Sequence, residues 1–137
     1  MITSQRQLMA AKEKIEMLKK SLAMEFKKEV PEILKSAATG QIEELISEVE
    51  SEIQDYETLK NNKLSEIQIF SLDDLMDAPI KYRLAKGMTI EDFARKVDLH
   101  SRQIARYETQ HYHNATTDTM LKILTCLDIK ISGAFKV

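Results

Sequence analysis

Three residues, Arg102, Gln103 and Arg106, carry side chains suited to reading base edges. Arg can bond guanine O6 and N7 with two parallel N–H donors, and Gln can do the same with adenine N6 and N7. Arg106 follows Arg102 by four positions and Gln103 by three, a spacing that puts all three on adjoining parts of one helix face. Ser101 shares the first turn of that helix. Thr89, Lys86 and His100 flank it with groups able to meet phosphate, and the loop "TQHYHNATT" adds His111, His113 and Asn114.

A short helix Ile90–Val97, the turn Asp98–Leu99 and a second helix over 100–109 would position these groups. Two helices across so short a turn is the helix-turn-helix geometry, in which the second helix enters the major groove. Phe93, Ala94 and Val97, Leu99 in the turn, and Ile104 and Tyr107 supply the apolar contacts that hold the pair. Asp98 occupies the turn position that wants a left-handed backbone, which Asp visits more readily than most residues. A further helix begins near Leu72 under the pattern Ser71-x-x-Asp74, contains Pro79 and runs to about Lys86; another covers Thr117–Leu127. The tail "DIKISGAFKV" has period-two apolar positions at Ile129, Ile131 and Phe135 and reads as a strand. Its edge partner would be residues 67–70 or the same tail of a second subunit.

The combination "G-x-T-x-x-x-[LF]-A-x-x-x-x-[LV]-x-x-x-x-I-x-x-[YL]-E" is carried by Gly87, Thr89, Phe93, Ala94, Leu99, Ile104, Tyr107 and Glu108. It resembles the Xre family of lambda-repressor/Cro-like helix-turn-helix domains over roughly residues 72–128. The resemblance implies a bundle of about five helices with 100–109 as recognition helix. It makes Ser101, Arg102, Gln103 and Arg106 base-facing. Ile90 stands where many members have a phosphate-binding Gln, and Asp98 replaces the customary Gly.

Ahead of this region, apolar residues at Leu8, Ala11, Ile15, Leu18 and Leu22 step by three and four, marking a helix with a narrow seam. A second helix starts near Pro31, continues across Gly40, and repeats Ile42, Ile46, Val49, Ile53, Tyr56 and Leu59 at near-heptad spacing. An antiparallel hairpin is the simple outcome. Too thin to bury both seams alone, it is expected to pack through Leu18, Leu22, Ile42, Ile46, Val49, Ile53 and Tyr56 on a second copy, a partner or the C-terminal domain. The expected organisation is all-α: a hairpin over 1–62, a linker over 63–71, and a DNA-binding domain over 72–137 ending in a short strand.

Charge divides the same way. The 137-residue chain has net charge −2. Residues 1–70 hold 10 Lys/Arg against 13 Asp/Glu, and residues 80–113 hold seven against four. A locally basic segment in an acidic chain is compatible with nucleic-acid binding, because fields act within a Debye length of ~8 Å. The single cysteine, Cys126, rules out an internal disulfide and reads as a small core residue in a reducing, cytoplasmic setting. No apolar run approaches the ~20 residues of a membrane span, and the start lacks a signal peptide's apolar core. Phosphate loops, nucleophile elbows and His-Glu-x-x-His pairs are absent, so no enzyme, cofactor or metal is expected.

An acidic two-helix extension before such a domain also resembles antitoxins of type II toxin–antitoxin modules, HigA-like ones included. That architecture implies a homodimer that represses its own operon by occupying a double-stranded operator and holds a toxin through its extension. A free-standing repressor whose hairpin only dimerises, and an interaction adaptor that does not bind DNA, are the alternatives.

Overall fold

The computed structural model describes residues 1–24, 30–61 and 65–137. Among them are six α-helices: α1 (Gln5–Ala23), α2 (Glu32–Asn61), α3 (Leu72–Ala85), α4 (Ile90–Val97), α5 (Ser101–Thr109) and α6 (Thr117–Cys126). The chain divides into two compact units, Met1–Asn61 and Asn62–Val137. The hairpin boundary at 62 and the start of the linker at 63 lie outside the described residues.

In the first unit, Ser4 caps α1 by accepting from the Gln7 N–H, and the Gln7 side chain reaches back to the Thr3 N–H at 2.7 Å. This reciprocal arrangement satisfies two amides that a helix start leaves open. Pro31 precedes α2, and its carbonyl accepts from Leu34 and Lys35. The two helices run antiparallel: Leu22 and Met24 share a hollow with Ser36, Thr39 and Gly40, while Lys12 pairs with Glu57 at 3.5 Å. Leu8 and Ile15 of α1 and Val49, Ile53 and Tyr56 of α2 are buried. Leu18, Leu22, Ile42 and Ile46 stay half-buried. Helix α2 passes through Gly40 unbroken.

The second unit is a four-helix bundle around Ile80, Phe93, Val97, Ile104, Tyr112 and Ile123, none of which is more than 0 % exposed. Ser71 caps α3 by accepting from Asp74, and the Asp74 carboxylate accepts from the Phe70 N–H at 2.9 Å. That bond, more than any other, holds the Asp74 carboxyl below its ordinary range. Pro79 is buried inside α3, which continues through it.

All four helices end alike. A residue in the left-handed region follows each: Gly87 (φ 64), Asp98 (φ 55), His111 (φ 50) and Asp128 (φ 53). The next N–H bonds back five residues: Met88 to Arg83, Leu99 to Ala94, Tyr112 to Tyr107, and Ile129 to Leu124, at 2.7–3.0 Å. This termination satisfies late carbonyls and turns the chain so that an apolar residue follows the cap. Only one position uses glycine, so the other three hold a conformation that L side chains adopt at a cost.

Among the described residues, two charged side chains are buried, Arg83 and Glu108, 5 % and 7 % exposed. Arg83 Nε and Nη2 donate to the two carboxylate oxygens of Glu108, each at 2.7 Å. Its Nη1 donates to the Met88 carbonyl at 3.1 Å. The fork ties α3, the α3–α4 connection and the end of α5 together.

Three expectations need correction. No strand occurs among the described residues: residues 67–70 and 129–137 carry neither ladder nor bridge, because neither segment has an edge to pair with and a lone strand is unstable. The second unit has four helices rather than about five, since Asp128 ends α6 and nothing helical follows. Cys126 is exposed rather than a core residue, because α6 turns Met120 and Ile123 inward, with Leu127 beyond them. Leu121 likewise faces outward.

Two changes test these contacts by chemical denaturation. Glu108→Gln should cost ~3–5 kcal/mol, the range for leaving a buried charge unpaired; a loss under ~1 kcal/mol would contradict the pairing. At exposed Gly40 an added Cβ meets nothing within 4 Å, so Gly40→Ala should stabilise the helix by ~0.5–1 kcal/mol.

Candidate nucleic-acid interface

Helix α4 begins with a two-way cap. The Thr89 hydroxyl accepts from the Asp92 N–H at 3.1 Å, and the Asp92 carboxylate accepts from the Thr89 N–H at 3.4 Å. The Thr89 contact first, then the Arg95 guanidinium, hold the Asp92 carboxyl below its ordinary range. The Thr89 amide is therefore already occupied. The first-turn amides of Ile90 and Glu91 remain as the donors at this end.

The Asp98 turn carries the chain from α4 into α5 at φ 55, ψ 50, the left-handed geometry expected of it. Lys122 of α6 braces the turn, donating to the Asp98 carbonyl at 2.9 Å. His100 starts α5, and its N–H donates to Gln103 Oε1 at 3.2 Å. The Gln103 side chain is thus folded onto the helix start and is half-buried, as is Ser101. Contact with a base would require Gln103 to release that bond.

Arg102 and Arg106 are different. Both are exposed, and neither side chain makes an ion pair or hydrogen bond among the described residues. The opposite side of α5 buries Ile104, Tyr107 and Glu108. The sequence therefore folds into a helix locked by one face, with two unneutralised guanidinium groups one turn apart on the other. Exposed cations without internal partners retain their charge for an anionic ligand.

The flanking groups divide into free and engaged. Lys86 and Lys96 approach the Tyr82 ring at 5.8 and 6.0 Å, a contact that orients an ammonium while leaving it solvated. In the loop after α5, His111 Nδ1 lies 2.7 Å from Asp77 Oδ1, while His113 Nε2 lies 3.6 Å from Asp73 Oδ1. Asn114 donates to the Arg106 carbonyl at 3.5 Å. His111 can reach a phosphate only by leaving Asp77; His113 and Asn114 are exposed. No group of three His, Cys, Asp or Glu residues able to hold a metal ion occurs among the described residues.

Sequence reasoning missed the two anchors beneath this surface. Arg83 has no periodic signature, because it sits on a helix face whose other members are apolar. Tyr112 was read only as part of a polar loop. It is fully buried, its ring 5.7 Å from that of Tyr107, and its hydroxyl has no hydrogen-bond partner among the described residues. The buried Tyr107–Tyr112 pair fixes the loop where it leaves α5.

Burial first, and then the neighbouring Glu108 carboxylate, push the Tyr112 phenol above its ordinary value. The folded chain keeps that proton at a pH where the unfolded chain loses it. Stability is therefore intact below ~pH 10, the unfolded value, and falls as pH rises beyond it. Tyr112→Phe should remove this alkaline component and, by deleting an unpartnered hydroxyl, leave stability at pH 7 equal or up to ~1 kcal/mol higher. Thermal unfolding across pH checks both; an unchanged alkaline decline would contradict the assignment.

No curated protein and no solved structure matches the chain. Residues 80–133 match the family model described as Helix-turn-helix, a span that opens inside α3 and takes in α4, the Asp98 turn, α5 and α6. Over residues 80–133 the chain is therefore similar to Xre-like helix-turn-helix domains.

Proposed function

We propose that the chain is a sequence-specific transcriptional regulator whose α5 enters the major groove of double-stranded DNA. The observation that carries this reading is the exposed, unpaired Arg102–Arg106 pair on a helix anchored from behind by the buried Arg83–Glu108 fork. Arg102 and Arg106 read base edges, joined by Ser101 and, once released from His100, by Gln103. Lys86, Thr89, His100, His113 and Asn114 track phosphates, with His111 joining them if it leaves Asp77.

In this reading the regulator is a homodimer that occupies two half-sites about one helical turn apart and represses its own operon. The hairpin is the surface that holds a toxin, making the chain the antitoxin of a type II toxin–antitoxin pair. Its separateness from the helix-turn-helix unit supports this division of labour. So do the apolar residues Met9, Met17, Met24, Ile33 and Leu34, each more than half exposed on the hairpin.

Binding-site selection from random duplexes tests the DNA reading. The parent should enrich a defined sequence, and Arg102→Ala and Arg106→Ala should each weaken binding to it by ~1–3 kcal/mol. Affinity should also fall steeply with salt as counterions are released. Equal binding by both variants and the parent would remove the base-reading assignment and favour an adaptor that does not bind DNA.

A further inference from the structure

Helix α5 keeps its strongest hydrogen-bond acceptors occupied. Among residues 101–109 the one carboxylate is Glu108, which is buried, its two oxygens accepting from Arg83. The one side-chain amide is that of Gln103. A backbone N–H can only donate, so the atom facing the His100 N–H at 3.2 Å is the Gln103 amide oxygen. Tyr107 is buried. Thr109, at the far end of the helix, donates its hydroxyl to the Ala105 carbonyl at 2.9 Å.

What α5 presents outward is of the opposite kind. Arg102 and Arg106 are exposed and one turn apart, and each guanidinium carries five N–H donors and no acceptor. Ala105 is exposed beside them and offers only a methyl group. Ser101, half-buried, has a hydroxyl that serves either role. The outer face therefore combines many donors with almost no free acceptor.

The four bases answer such a face unequally. In the major groove guanine shows two acceptors, N7 and O6. Adenine shows N7 beside an N6 amino donor, cytosine an N4 amino donor, and thymine O4 beside a methyl group. A guanidinium makes two parallel bonds to guanine. Against adenine it makes one and sets two donors against each other, leaving polar groups desolvated without a partner. Reading adenine with both atoms of the Gln103 amide requires that side chain to leave the helix start and reopen the His100 N–H. Guanine demands no such release.

We infer that α5 is a guanine reader: the recognised sequence carries one guanine for Arg102 and another for Arg106, while Gln103 stays on His100 and reads no adenine. This inference rests on the DNA reading proposed above and deepens it by naming the bases.

Binding-site selection with the full chain, followed by base analogues in the selected duplex, tests it. Guanine is expected at two positions of one major-groove face. At either position 7-deazaguanine, which pairs normally but lacks the N7 acceptor, should weaken binding at least about fivefold. Inosine, which keeps N7 and O6, should bind much more tightly than 7-deazaguanine there, and 7-deazaadenine at any adenine should leave binding close to that of the parent duplex. Arg102→Ala should flatten the preference at one guanine and Arg106→Ala at the other, each leaving the second intact, which a general loss of helix stability would not do. Selection of no defined sequence would remove the DNA reading and this inference with it. A selected sequence without the two guanines, a loss on 7-deazaadenine as large as on 7-deazaguanine, or guanine preferences that survive both arginine variants would overturn this inference alone and leave DNA binding standing.

Discussion

The second unit depends on a charged pair held out of water. Arg83 and Glu108 meet through two parallel hydrogen bonds, and a third from Arg83 fixes the Met88 carbonyl. A buried ion pair is weak evidence for net stability, because desolvation offsets much of the attraction. Its geometry is demanding, however, since a planar fork accepts one orientation of the carboxylate. The pair therefore acts as a positioning device. It sets α5 against α3 from the side opposite Arg102 and Arg106, and it holds the start of the α4 connection through Met88. An apolar pair of similar volume could fill the space without specifying the angle of α5.

The four helix ends show a second constraint, one of connection length. Short helices packed around one small core need abrupt reversals, and each is made with a left-handed residue followed by an apolar or buried one. Asp98 was legible as such a position because it opens the short turn between two periodic segments, where the helix-turn-helix geometry wants a left-handed residue. His111 and Asp128 were not. Both residue types visit the left-handed region more readily than most, but no short turn between two periodic segments pointed to them; the residue that follows each, Tyr112 or Ile129, packs inward.

Other features divide along the same line. The helix-turn-helix pair was readable from Phe93, Ala94, Val97 and Ile104, whose spacing matches the face they bury. The hairpin was readable from its two seams. The tail was misread as a strand in place because alternation reports which faces are apolar, not whether a partner edge is present. Cys126 was misplaced because one turn of α6 contains more apolar residues than its inner face can bury. The Gln103 contact with His100 was invisible because a side chain that can read adenine can equally cap its own helix. Charge segregation, by contrast, survives intact. The basic residues of 80–113 that remain unpaired, Arg102 and Arg106 above all, sit where the packed face of α5 ends.

The central claim is that this exposed face of α5, fixed from behind by the Arg83–Glu108 pair, is where DNA binds. Amide chemical-shift mapping of the full chain titrated with a DNA duplex tests it most directly. The account predicts salt-sensitive shifts concentrated over residues 100–106, with a second group at residues 86–91 and smaller ones at 113–114. Shifts confined to the hairpin, or no shifts at low salt, would contradict it.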